Sequence, residues 1–475
     1  MTQPKALWDG FSYKAHQTTG IEWMMAREKN TPSGGIVCDE MGLGKTIQLL
    51  GLIKSAATPR SETLLIAPVA VLSQWEETAR KSGITVYLTK KGTSHLGWSI
   101  QGTFRPAAPR IYIIGYEAAR SKSQFTTMRA WDRVICDEAH RAASAKGFFT
   151  MIQHIVAKNR WFLTATPIVN SISDLTHLYE LLGLEDASVR TGSPDALKAS
   201  SNELILARTM KQLRNSIPDA PPEPISKTIS LSFLTEDEAE FYRGMAGGIV
   251  KRWKALESDG GAGIGLLKLK LFMRLRQLSL HPQVYIESRR KALGTVRYER
   301  EDWAGSSTKF EEIKRLIQVA NGQETPRKWL IFCHFHPEMT LLKDALSAEP
   351  YIRDVGIYNG SLSHGERKKL LESTKKPLPD TSQADVLLVQ LQSGGVGLNL
   401  QHFNRIIFSG PWWTSALMEQ AIGRAVRIGQ SEVVHVYHLK LKEEEAINID
   451  RVMMEKAAEK GELCKKVLAD ACSAI

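Results

Sequence analysis

Cysteine is scarce in this chain and widely scattered. Five occur in 475 residues, at Cys38, Cys136, Cys333, Cys464 and Cys472, an odd number with no C-x-x-C pair. That distribution speaks against a disulfide framework and a cysteine zinc site, and predicts buried thiols in a reducing compartment. No apolar run approaches the roughly 18 residues that would span a bilayer, so no membrane partner is expected. The opening Met1-Thr2-Gln3-Pro4-Lys5 leads into no apolar signal-peptide core, and no secretory signal is expected. Tandem repeats, a heptad series and a low-complexity tail are also missing.

What is present fits a globular protein, with 43% hydrophobic and 24% charged residues. A chain of 475 residues exceeds one ordinary core and leaves room for two lobes with insertions. The net charge of +11 permits a nucleic-acid partner, because phosphate neutralisation supplies most non-specific affinity. Solvated lysine faces would give the same sum, so charge alone decides nothing.

The first half alternates short apolar runs with longer amphipathic stretches. The runs are 35–38, 64–67, 111–114, 134–136 and 161–163, with helical patterns over 46–57 and 71–81 between the first of them. This alternation predicts an α/β fold with a mostly parallel sheet covered on both faces. A second series follows at 329–332, 355–358, 386–389, 406–408 and 433–439, predicting a second α/β lobe. Between the two, residues 218–224 hold four prolines and cannot be helix interior. Residues 235–283 read as a helical insertion with a glycine-rich tip at 259–263, and the chain from 443 onward as a charged helix.

Chemistry first becomes legible at Asp39-Glu40-Met41-Gly42-Leu43-Gly44-Lys45-Thr46, which follows a strand run and opens a helix. Glycines there let backbone N–H groups approach phosphates, Lys45 reaches the β- and γ-phosphates, and the Thr46 hydroxyl takes Mg²⁺. The loop pattern wants glycine where Asp39 stands. Downstream, Asp137-Glu138-Ala139-His140 closes an apolar strand run. Asp137 is placed to hold Mg²⁺, leaving Glu138 to orient and deprotonate the attacking water. Either motif alone has a bland reading, as a glycine turn or a helix cap; the pair in this order points to ATP hydrolysis.

DEMGLGKT, DEAH and Leu163-Thr164-Ala165-Thr166-Pro167 together resemble helicase superfamily two, and in particular its Snf-family (Swi/Snf-type) DNA translocases. The second half agrees at residues 331–335, 394–400 and 420–430, which resemble motifs IV, V and VI. Leu275 to Pro282 resembles the family's helical insertion, and Val433 to Val467 its brace after motif VI. The resemblance implies two RecA-like parallel-sheet lobes in tandem, with helical insertions and a C-terminal helical brace. Its expected boundaries are 1–217 for the first lobe, 218–305 for linker and insertion, 306–440 for the second lobe and 441–475 for the brace.

Roles carried by the resemblance follow residue by residue. Arg424 and Arg427 are implied as arginine fingers, with Gln420 at the ATP, and Gln17 as the reader of adenine. Pro68, Ser73, Gln74 and Trp75 match motif Ia, which borders DNA, and Thr164 and Thr166 match motif III. Both threonines are expected on the DNA side. Trp412 is assigned to the DNA side and its neighbour Trp413 to the core. His140, Gly395 and Asn399 are implied to couple the track to the nucleotide. Departures from the family pattern are His16 for tyrosine, Ala165 for glycine, Met418 for aspartate and Val426 for histidine.

The leading expectation is therefore a monomeric, DNA-stimulated, Mg²⁺-dependent ATPase that moves on duplex DNA. It would work inside the cell, in the nucleus of a eukaryote, with targeting proteins or nucleosomes as partners. A strand-separating DNA or RNA helicase shares the DEAH and motif VI residues and remains the alternative. A nucleotide-binding scaffold without turnover is disfavoured, because Lys45, Asp137, Glu138, Arg424 and Arg427 are all present.

Overall fold

The computed structural model describes residues 3–56, 58, 60–89, 98–101, 107–127, 129–169, 171–259, 264–293, 298–320, 328–378, 383–391 and 398–468. Contacts divide the chain at the proline-rich break, into a unit built on Met1–Pro221 and one built on Pro222–Val426 and Gln430–Ala458.

The first unit is organised by eight described strands: β1 (Gly34–Val37), β2 (Glu62–Ala67), β3 (Thr85–Thr89), β4 (Trp98–Gln101), β5 (Arg110–Gly115), β6 (Trp131–Asp137), β7 (Ala157–Leu163) and β8 (Ile205–Leu206). Their order is β4-β3-β5-β2-β6-β7-β1-β8, and β3–β4 is the one antiparallel pair among them. Successive residues of a strand point to opposite faces, so a sheet covered on both sides needs continuous apolar runs. Ile36, Leu64 and Ile66 accordingly enter one core cluster while Val37, Leu65 and Ala67 enter the other.

The second unit repeats this arrangement with β9 (Ile225–Leu231), β10 (Lys328–Cys333), β11 (Ile352–Tyr358), β12 (Ala384–Gln390), β13 (Arg405–Phe408) and β14 (His435–Leu441). Their order is β11-β12-β10-β13-β14-β9, and every pair is parallel. All six residues of β10 are buried; Trp329 and Ile331 face one core and Leu330 and Phe332 the other. Each of the ten apolar runs read from the sequence lies in or overlaps a strand.

Four strands, β3, β4, β8 and β9, have no counterpart among those runs. β9 falls within the stretch expected to be linker and insertion. It is an edge strand, mostly exposed, whose residues lack the apolar run of a central strand. Its pairing, from Ile225 opposite His435 to Leu231 opposite Leu441, makes it part of the second sheet.

The expected helical insertion is three helices, Glu236–Asp259, Ile264–Leu280 and Pro282–Leu293. All but the first residue of the tip at 259–263 lies outside the described residues. The last helix, Ile449–Leu468, is anchored through one carboxylate. Asp450 pairs with Lys309 at 2.6 Å, and both side chains are at most 2% exposed. It also accepts from Ser279 Oγ at 3.0 Å and from the backbone N–H of Leu441 at 2.9 Å. Insertion, second sheet and final helix thus meet at a single side chain. Removing one partner of a buried pair strands the other charge. Asp450→Asn is expected to cost about 3–5 kcal/mol of the second unit's stability, read as a shifted denaturation midpoint. An unchanged midpoint would show that the pair contributes no more than an exposed one.

Cys38, Cys136 and Cys333 are buried free thiols, as expected. Burial pushes the Cys136 thiol up to about 12, which keeps it protonated and inert. Among the described residues no helix is long and apolar enough to cross a membrane.

Candidate nucleotide site

In the first sheet β7 lies between β1 and β6, and all three run parallel. The segments after these strands therefore leave the same, carboxyl edge side by side, where ligands of open α/β sheets bind. The phosphate loop follows β1, Thr164 to Pro167 follows β7, and Asp137 ends β6. Register fixes the spacing: Val37 stands opposite Leu163, and Leu163 opposite Asp137.

The loop closes on the helix Lys45–Ala56. Gly42 and Gly44 hold φ of 90° and 81°, a left-handed backbone that L side chains rarely adopt. A Cβ on Gly44 would also stand 2.6 Å from Gln17 Nε2, so the space over the loop depends on that glycine. Lys45 Nζ donates to the Asp39 carbonyl at 2.5 Å. The buried Gln17 amide donates to the Leu43 carbonyl at 3.4 Å and accepts from Lys14 N at 3.1 Å. His16, beside it, bonds the same Leu43 carbonyl at 3.0 Å and must donate, because a carbonyl only accepts. Desolvation lowers the His16 pKa, so the ring is neutral.

Asp39 shows why the loop departs from glycine at its first position. The carboxylate is fully buried and accepts from Arg208 Nε at 2.9 Å, a second Arg208 nitrogen at 2.6 Å and Gln48 Nε2 at 2.9 Å. Backbone bonds from Cys38 N to Leu206 O and from Glu40 N to Arg208 O fasten the loop to the end of β8 and the segment after it. A bidentate arginine clamp replaces glycine's flexibility with a fixed geometry. Arg208 carries no sequence signal beyond being an arginine after the short apolar run 204–207.

At the end of β6, Asp137 Oδ1 accepts from Glu138 N at 2.9 Å and Oδ2 from the Trp75 indole N–H at 2.8 Å. Burial raises the Asp137 pKa to about 6, with the adjacent Glu138 adding to the rise; Trp75 and Lys45 pull against it. Glu138 holds φ of 51°, one of two described non-glycine residues with positive φ. Such a conformation costs on the order of 1–3 kcal/mol and persists where surroundings impose it, typically at functional sites.

His140 Nδ1 stands 3.5 Å from Glu138 Oε2 and 3.2 Å from Thr164 Oγ1. The Thr164 hydroxyl gives its one proton to the Thr166 carbonyl at 3.0 Å, so the imidazole is the donor toward Thr164. Burial lowers the His140 pKa to about 4, which leaves a neutral ring that positions rather than pairs.

Several expected positions need correction or qualification. Thr164 and Thr166 are buried rather than exposed: Thr164 Oγ1 bonds His140 Nδ1 at 3.2 Å and accepts from Thr166 N at 3.1 Å. Pro68 is buried too, and its carbonyl accepts from Val71 N in the turn that starts the next helix. Ser73 and Gln74, by contrast, are exposed. Of the adjacent tryptophans, Trp412 is the buried one: its ring stacks on His334 with centroids 5.3 Å apart, and Arg276 lies 4.3 Å over it. The burial of Trp412 corrects its expected place on the DNA side; Trp413 is half-buried and packs on the same core. Only packing decides which side chain is core.

Gln420 lies in the last turn of the helix Ser415–Ile422, and Arg424 and Arg427 follow it in the chain. The Arg424 carbonyl accepts from Leu400 N at 3.0 Å, which ties motif VI to motif V. Asn399 is exposed and accepts from Gln401 N at 3.4 Å; Gly395 lies outside the described residues.

Comparison with known proteins gives two family matches. Residues 16–284 match the SNF2-related domain and residues 308–429 the helicase conserved C-terminal domain. A probable global transactivator of Orgyia pseudotsugata multicapsid polyhedrosis virus is 28% identical over 91% of this chain and 87% of its own length. The ISWI chromatin-remodeling complex ATPase ISW1 of Saccharomyces cerevisiae is 26% identical over 96% of this chain, which spans only 40% of that protein. Among solved structures, the Sulfolobus solfataricus SWI2/SNF2 ATPase core in complex with dsDNA is 22% identical with a TM-score of 0.42, covering 98% of this chain and 99% of that one.

Proposed function

Because this chain belongs to the SNF2-related family of helicase-like ATPases, we propose that it is an ATP-driven translocase on duplex DNA. The observation that carries the reading is the row of phosphate loop, Thr164 segment and carboxylate pair along one sheet edge, each held by buried bonds. The glycine loop and Lys45 bind the ATP phosphates, and Gln17 faces the adenine. Asp137 and Thr46 fit Mg²⁺: the ion prefers one or two carboxylates plus substrate phosphates, and it relieves the penalty that burial places on Asp137. Bound there, it would neutralise charge on the phosphate oxygens. Glu138 orients the attacking water and takes its proton, with neutral His140 fixing its surroundings. Arg424 and Arg427 stabilise the charge of the transition state.

Duplex tracking, rather than strand separation, is supported by the helical insertion and the final helix anchored at Asp450. DNA, targeting partners and an intracellular site of action all follow from this reading. ATPase rate against single-stranded DNA, duplex DNA, RNA and nucleosomes tests it. The rate should rise with duplex length, a triplex third strand should be displaced, and a forked duplex should stay paired. Binding should fall steeply with salt and show little sequence preference, since backbone contacts position a motor without reading bases. Efficient opening of a partial duplex would make the enzyme a helicase, and stimulation by RNA alone would change the track.

A further inference from the structure

Asp137 is gripped from two sides by aromatic donors that lie on neighbouring segments of the same sheet edge. β2 is hydrogen-bonded to both β5 and β6, and the helices Leu72–Lys81 and Tyr116–Ser121 follow the ends of β2 and β5. Trp75 in the first helix gives its indole N–H to the Asp137 carboxylate at 2.8 Å. Tyr116, opening the second, gives its hydroxyl to the Asp137 backbone carbonyl at 2.9 Å. Both residues are 1% exposed. Indole can only donate, so Trp75 can serve only an acceptor oxygen. With Oδ1 engaged by Glu138 N and Oδ2 by Trp75, the rotation of the carboxylate is set.

The same helix presents a different face to solvent. Ser73 and Gln74, immediately before Trp75, are exposed, as are Glu117 and Arg120 beside Tyr116. Any contact that displaces Ser73 and Gln74 must carry the next residue's indole with it, because all three share one rigid helical turn. Outer donors of this kind orient metal ligands, and losing one typically costs 10–100-fold in metal affinity.

We propose that Trp75 and Tyr116 are positioning residues that set the Mg²⁺-binding geometry of Asp137 and relay occupancy of the track to it. The relay rests on the translocase reading given above; the positioning role does not. Trp75→Phe keeps an apolar ring in the core and removes only the donor and some volume. Tyr116→Phe removes a single hydroxyl and serves if the first variant does not fold.

The full-length variants are tested by binding of a fluorescent ATP analogue, titrated with Mg²⁺ and repeated in EDTA, and by ATPase with and without duplex DNA. For Trp75→Phe the Mg²⁺ concentration at half-saturation should rise 10–100-fold, while binding in EDTA stays within about twofold. Stimulation by duplex DNA should drop about tenfold or more, with DNA affinity retained. Tyr116→Phe should shift both in the same direction. A Mg²⁺ shift of threefold or less in folded variants overturns the positioning role. A full Mg²⁺ shift with stimulation intact overturns the relay. A wild-type enzyme that duplex DNA does not stimulate would refute the translocase reading, and the Mg²⁺ titration would still decide the positioning role.

Discussion

Arg427→Ala is expected to abolish DNA-stimulated ATP turnover, a loss of about 10³–10⁵ in rate, while nucleotide affinity stays within a few-fold. An arginine finger pairs with charge that gathers on the γ-phosphoryl oxygens only in the transition state, so the ground state hardly registers its removal. Single-turnover rates with and without duplex DNA, set beside equilibrium binding of a non-hydrolysable analogue, separate the two quantities. Equal loss of basal and stimulated activity, or retention of both, would remove Arg427 from that role and leave motif VI to Arg424.

Glu138→Gln should bind ATP nearly as the wild type does and hydrolyse it about 10²–10⁴-fold more slowly. The amide preserves shape and the positive φ at this position but cannot accept the proton of the attacking water. Lys45→Ala provides the contrast. It removes a cation that contacts the phosphates in ground and transition states alike, so binding and hydrolysis should weaken together. Near wild-type turnover in the glutamine variant would mean that another group is the base. The strained backbone at Glu138 would then need a different explanation.

Both sheets are legible in the residue order because their central strands are buried on two faces. Such burial demands continuous apolar runs, and ten of these lie in or overlap ten strands. The phosphate loop and the Asp137–Glu138 pair are legible because each needs a particular residue type at a particular distance from a strand end. β9 and β4 escape because edge strands are freed from that demand, and β8 because it is only two residues long.

What the residue order cannot express is which side chains meet. Asp39, a misfit to the loop pattern, is the seat of a buried clamp from Arg208, 169 residues later. Trp75, grouped with track residues by its neighbours, turns inward to Asp137, 62 residues away. Thr164 and Thr166, expected at DNA, are buried and bonded to each other, and Thr164 also meets His140. Trp412, expected on the DNA side, is buried instead, because a stack of His334 and Arg276 encloses its ring. Local spacing, set by covalent geometry and by the two periodicities of strand and helix, determined fold class, nucleotide chemistry and family. Tertiary structure decided which polar groups are buried together, since a buried donor or acceptor must find its partner wherever the fold happens to bring one.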